Sequence, residues 1–174
     1  MKKIILMLIA VVIILIVFKK TKEESIVIPD DAIRFRVLAN SNSPRDQKIK
    51  EDIRNKMQEQ LYNILSDVNT KKEAKNLIIN NMSNFNNILN NKMKDVEYSY
   101  KIDYGKHYFP EKLYNGITYK EGNYESLLVT LGEGKGDNWW CVLFPPLCVL
   151  EAEETNTNDV EYKLFIKEII KKYF

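Results

Sequence analysis

Residues 4–18 carry fifteen side chains without one polar group. Lys2 and Lys3 precede the run, and Lys19, Lys20 and Lys22 follow it. A helix that is apolar on every face cannot lie on the surface of a water-soluble domain; it needs a membrane or a large protein around it. At about 1.5 Å per residue it would be about 22 Å long, short of a ~30 Å hydrocarbon core. It has the length of a secretory hydrophobic region behind a basic start. The small-residue pattern of a cleavage site is missing, since Phe18, Lys19, Lys20 and Thr21 close the run. Two readings of residues 1–20 therefore stay open: a signal peptide, or an uncleaved anchor whose lysines snorkel to the headgroups. Lysines at both ends leave orientation undecided by charge alone. The N-terminal position, and the soluble character of everything after it, favour delivery of the rest of the chain out of the cytoplasm.

Residues 21–30 read as a spacer, 31–150 as one domain and 151–174 as an acidic link with a closing amphipathic helix. A net charge of +2 over 174 residues gives no electrostatic support for nucleic-acid binding. Export changes the meaning of the two cysteines, Cys141 and Cys148. Outside the cytoplasm a nearby pair is a disulfide candidate. Pro145 and Pro146 between them favour a turn that would bring the two together. Closing such a loop is worth up to about 2.5 kcal/mol on loop entropy. Two buried free thiols are the alternative.

Alternation of Ile33, Phe35 and Val37 with Arg34 and Arg36 predicts a strand with its apolar face buried and its arginines toward solvent. Ser43, Pro44 and Asp46 are a helix start, with an N-cap, a proline at the first position and an acid three residues after the cap. Ile49, Ile53, Met57, Leu61, Ile64 and Leu65 then form one stripe. Thr70 and Glu73 open a second helix, expected to run unbroken through Leu89 and to form a hairpin with the first. Val96, Tyr98, Tyr100, Ile102 and Tyr104 alternate as a strand. Turn signals at 115–116 and 121–123 bracket a short strand at 117–119. Residues 124–131 read as a central strand and 139–144 as one more. Tyr162, Phe165, Ile166, Ile169 and Tyr173 mark the closing helix. The fold expected is α+β, a mostly antiparallel sheet against an amphipathic helix hairpin, with an N-terminal hydrophobic helix and a C-terminal helix.

No catalytic set emerges. The lone His107 has too few partners for a metal site and reads as a surface or turn residue. No Gly-x-Ser-x-Gly elbow is present. A Cys–His pair is disfavoured, because both cysteines sit in an apolar run where a thiolate is costly. Gly132, Gly134 and Gly136 invite a phosphate-loop reading, but Gly136 stands after Lys135 where Ser or Thr is needed. The run reads instead as a flexible, strained turn. Glu133 with Asp137, or Glu121 with Glu125, are carboxylate pairs that arise easily by chance. The densest signal is aromatic: Trp139 and Trp140, then Phe144, the residue types of binding hot spots. On a strand the two tryptophans point to opposite faces.

Two blocks carry a resemblance. The first is Ile33-Arg34-Phe35-Arg36-Val37-Leu38-Ala39-Asn40-Ser41-Asn42-Ser43-Pro44, continuing to Asp46 and Gln47. The second comprises Phe109-Pro110, Tyr114, Gly116, Gly122, Tyr124-Glu125, the 132–136 glycine run, Asn138-Trp139-Trp140-Cys141 and Phe144-Pro145-Pro146-Leu147-Cys148. Together, over about residues 32–150, they resemble the stage II sporulation protein R family of endospore-forming bacteria. Asn42 stands where that family usually has Asp, and Lys120 where a proline is common. Residues 151–174 lie outside the match. The resemblance implies a protein exported from the forespore into the intermembrane space, secreted or membrane-tethered. There it would activate a membrane-embedded aspartic protease of the mother-cell membrane, which processes a sigma-factor precursor. It implies a ligand and not an enzyme; no cofactor or metal is expected, and the apolar run at residues 4–18 gives membrane contact at least before any cleavage. The expected partner surface is Gly132, Gly134, Lys135, Gly136, Trp139, Trp140 and Phe144, beside the Cys141–Cys148 loop. An exported cell-wall or peptide hydrolase using His107 or a carboxylate pair is the alternative, and a tethered structural protein of the septum a third.

Overall fold

The computed structural model describes residues 26–114, 117–147 and 159–173. The apolar run 4–18, the turn at 115–116, Cys148 and most of the acidic link lie outside them. Along the chain come β1 (Ile26–Val27), β2 (Ile33–Leu38), α1 (Pro44–Leu65), α2 (Lys71–Asn80), α3 (Met82–Met93), β3 (Tyr100–Phe109), β4 (Lys112–Tyr114), β5 (Ile117–Tyr119), β6 (Gly122–Leu131), β7 (Asn138–Phe144) and α4 (Asp159–Tyr173).

The fold is α+β, as expected, but its sheets are mixed. The main sheet has the order β3-β6-β2-β7, and a small sheet has the order β1-β5-β4. β3 and β6 pair antiparallel over ten residues each, from Tyr100↔Leu131 to Phe109↔Gly122. β6 and β7 follow one another in sequence yet are not neighbours. β2 lies between them, parallel to β6 and antiparallel to β7. Each sheet thus carries a parallel pair, which corrects the mostly antiparallel expectation.

One face of the main sheet is covered by α1, α2 and α3. Ile33, Phe35 and Val37 from β2, and Leu127, Val129 and Leu131 from β6, meet Ile53, Met57, Leu61, Leu65, Ala74, Ile78, Phe85 and Leu89 from the helices. Burying each large aliphatic or Phe side chain contributes about 1.5–3 kcal/mol. Ser43 caps α1 as read, its Oγ accepting from the Asp46 N–H at 3.1 Å. Thr70 caps α2 in the same way, at 3.3 Å from the Glu73 N–H.

Four expectations need correction. The second helix breaks at Asn81, because the Asn81 amide donates to the Leu77 carbonyl at 2.8 Å and competes with the backbone there. The third strand begins at Tyr100, not Val96. Its partner ends at Leu131, where Gly132 turns away at φ +53° with its N–H on the Ser99 carbonyl. The spacer is not loose throughout, since Ile26 and Ile28 are buried and β1 pairs with β5. Ile26, Ile28, Ala32, Ile117, Val142, Leu147, Ile166 and Ile169 form a second core. The fourth correction is Arg34, read as solvent-facing and found fully buried.

Candidate functional site

The glycine turn is shaped by topology. Because β2 separates β6 from β7, the connection at 132–137 must arch over the end of β2. It lands on residues 39–42, so the glycine run of the second sequence block meets the Asn-Ser-Asn turn of the first at one junction. The Gly136 N–H donates to the Ala39 carbonyl at 2.9 Å and the Lys135 N–H to the Asn40 carbonyl at 3.2 Å. The Glu133 N–H donates to Asn40 Oδ1 at 3.0 Å, and the Asp137 N–H to Asn42 Oδ1 at 2.5 Å. A Cβ at Gly132 would lie 2.1 Å from Asn40 Oδ1, and one at Gly136 would lie 2.2 Å from the Ser41 carbonyl oxygen. The turn is thus tied down along its length, not flexible. Its solvent side carries Lys135, 76% exposed and ion-paired with Glu133 at 2.7 Å.

Asp46 anchors the junction from α1. Its carboxylate accepts from Ser41 Oγ at 2.6 Å, Asn40 Nδ2 at 2.8 Å and Tyr98 Oη at 2.9 Å. The Ser41 and Asn40 bonds hold its pKa below the usual carboxylate range. Burial, with the Asp46 charge added, pushes Tyr98 up to about 12. Lys50 crosses the junction, donating to Gln47 Oε1 and to the Asp137 carbonyl.

The tryptophans point to opposite faces of β7, as expected. Trp139 joins the helix side, its ring 5.6 Å from Phe35 in an edge contact, with the Arg54 guanidinium 5.6 Å from its centroid. Trp140 lies on the far side, 5.3 Å from Phe109 and 5.5 Å from Tyr119. Both are half-buried. Phe144 is 4% exposed and meets Tyr173 of α4 at 5.3 Å, so its position is explained by packing. Cys141 sits on β7; its expected partner, Cys148, is outside the described residues.

On the far side Arg34 is enclosed by four rings: Tyr124 at 3.5 Å, Phe109 at 5.1 Å, Trp140 at 5.2 Å and Tyr119 at 5.9 Å. Nη2 donates to the Lys120 carbonyl at 3.3 Å, while Nε and Nη1 have no acceptor among the described residues. Burial lowers the Arg34 pKa, opposed by the nearby Tyr124, Tyr119 and Asp30. The rings supply cation–π attraction where acceptors are missing. Composition held the rings, but the alternating pattern gave no sign that they close on an arginine.

His107 is not a turn residue. It lies within β3, its side chain 19% exposed. Nδ1 is 2.7 Å from Ser126 Oγ, and Nε2 is 3.0 Å from Asp103 Oδ2. Gly105, between Asp103 and His107 on the same strand face, lets them meet. A Cβ there would stand 3.3 Å from the Asp103 carboxylate. That glycine inside an alternating strand was the available sequence signal. The three residues form an Asp–His–Ser relay, but Ser126 is fully buried. Moreover, β6 is paired on both sides, so its N–H groups are committed to ladders and not free to hold an oxyanion. The candidate carboxylates have partners of their own: Glu125 pairs with Lys71 and Lys75, Glu121 accepts from Tyr108, and Glu133 takes Lys135.

A profile of the family described as stage II sporulation protein R matches residues 29–154. The chain belongs to that family. Stage II sporulation protein R of Bacillus subtilis (strain 168) is 42% identical over 130 residues, covering 74% of this chain and 58% of that protein. The match thus spans less than two thirds of the relative's length. No solved structure matches. Family membership ties the chain to sporulation, and the family match contains the whole turn junction, the arginine cage and the relay. β1 and α4 fall outside it, so the second core joins matched residues, such as Ile117 and Val142, to unmatched ones, such as Ile26 and Ile166. Among the described residues no helix is long and apolar enough to cross a membrane.

Proposed function

We propose that the chain is an exported sporulation ligand that activates a membrane-embedded aspartic protease of the mother-cell membrane, leading to processing of a sigma-factor precursor. The supporting observation is family membership over residues 29–154, a span that holds the whole turn junction. Export rests on the apolar run at residues 4–18. The contact surface centres on Lys135 and the half-exposed edges of Trp139 and Trp140, with Gly132, Gly134 and Gly136 fixing the turn beneath them. A Cys141–Cys148 bridge would fix the chain after β7. The test is co-expression of this chain with the candidate protease and the precursor in a non-sporulating host. Processing that depends on the chain is the expected result; processing without it, or none with it, rejects the proposal.

The Asp103–His107–Ser126 relay favours a second reading, an exported hydrolase. In the same host, Ser126→Ala and His107→Gln proteins that keep their circular dichroism spectrum are expected to keep processing. Folded variants without processing would favour the hydrolase.

A further inference from the structure

The small sheet has one buried and one open face. Ile26 and Ile117, paired in register, are buried in the second core. One residue on, Val27 and Leu113 both pair with Thr118, so the three form a row across β1, β5 and β4 on the opposite face. Val27 is 38% and Leu113 68% exposed. Of the four large apolar residues exposed among the described residues, Val27, Tyr108 and Leu113 lie on β1, the end of β3 and β4; only Ile79 lies elsewhere.

The position of this row along the chain says what it faces. β1 is the first described element, and seven residues, 19–25, separate it from the apolar run ending at Phe18. Fully extended, they reach about 25 Å at most. While the run sits in a bilayer, β1 cannot be farther from the membrane than that. Two or three side chains cannot make the ~800 Å² per partner that a stable protein interface needs. A bilayer needs no matching shape, and a tether raises the effective concentration enough for a weak contact to hold.

We propose that the face carrying Val27, Thr118 and Leu113 lies against the lipid surface, turning the rest of the domain away from it. The proposal rests on the reading of residues 4–18 as a retained anchor. Glu111 and Lys120 beside the row are both exposed, so the contact is apolar and independent of lipid charge.

The test uses the full chain with zwitterionic phosphatidylcholine vesicles or anionic phosphatidylglycerol vesicles. A fluorescent amino acid replaces Leu113 or Ile79, both exposed, and brominated lipids quench it. Leu113-site quenching about twofold above the Ile79 site, equal in both lipids, is expected for apolar contact at the interface. Vesicle-bound protein with equal quenching at the two sites overturns the docking face. Protein that does not float with vesicles overturns the anchor reading. Contact at position 113 only after the protease is added assigns the row to protein and overturns the lipid proposal.

Discussion

The two faces of the main sheet are held by different physics. On the helix side, Phe35, Val37, Leu127 and Val129 pack against apolar residues of α1, α2 and α3, and directional contacts lie at the margins, where Arg54 meets Trp139 and Glu125 meets Lys71 and Lys75. On the far side the second core covers Val142, but around Arg34 and His107, and at the end of β2, the contacts are directional: the Arg34 cage, the Asp103–His107–Ser126 relay, and the hydrogen bonds of the glycine turn. The difference teaches which residues tolerate exchange. An aliphatic core accepts volume-conserving swaps at under about 1.5 kcal/mol. A directional contact fails when one atom is missing.

Arg34→Ala should break the comparison most visibly. It empties a cage of four rings, and a loss of about 2–5 kcal/mol is expected in urea unfolding, on the scale of truncating a large buried side chain to Ala. Leu127→Met on the helix side should cost less than about 1.5 kcal/mol. Arg34→Met refines the point. If it restores most of the loss, the cage values volume more than charge, and the two faces are more alike than described.

Gly136→Ala comes next, at about 2–3 kcal/mol, because the new Cβ meets the Ser41 carbonyl, which is backbone. Gly132→Ala should cost somewhat less despite its φ of +53°, since the atom it meets belongs to the Asn40 side chain. Thermal melts of the two variants rank them. Equal costs would mean that the backbone of the junction yields as easily as a side chain.

The smallest effect is one of pH. Asp46 has a folded pKa below its ordinary value of about 4. Its contribution is therefore complete above that value and is lost as pH falls through the lower folded pKa. Asp46→Asn should lack this component, so the stability gap between native and variant proteins should narrow on acidification. Urea titrations from neutral pH to about pH 3 read that gap. A constant gap would show that the junction does not depend on the Asp46 charge.

The same division explains what the sequence could tell. Caps at Ser43 and Thr70, the stripes of α1 and the apolar side of β2 are local or periodic signals, and they were legible. So was the opposed placement of Trp139 and Trp140, which follows from strand geometry alone. Arg34 was misplaced because alternation assigns a charged residue to solvent; only the fold brings Phe109, Tyr119, Tyr124 and Trp140 around it. The parallel β2–β6 pair was invisible for the same reason, as nothing local to residues 33–38 specifies which strand lies beside them. For the candidate site, the glycines and tryptophans were found, but not what they do. The turn looked flexible because the atoms that fasten it belong to residues 39–42, far away in sequence.

The insertion of β2 between β6 and β7 also sets a timetable. A chain made N-terminus first presents β2 early, yet β6 arrives about ninety residues later and β7 about a hundred, so long-range closure governs when the sheet can form. Until then its hydrogen-bonding edges stay open. The junction at 132–137 forms only after β2 is seated, because the turn crosses its end. The surface at 132–137 therefore exists only once the strands on both sides of β2 are in place, and its presence marks a finished main sheet.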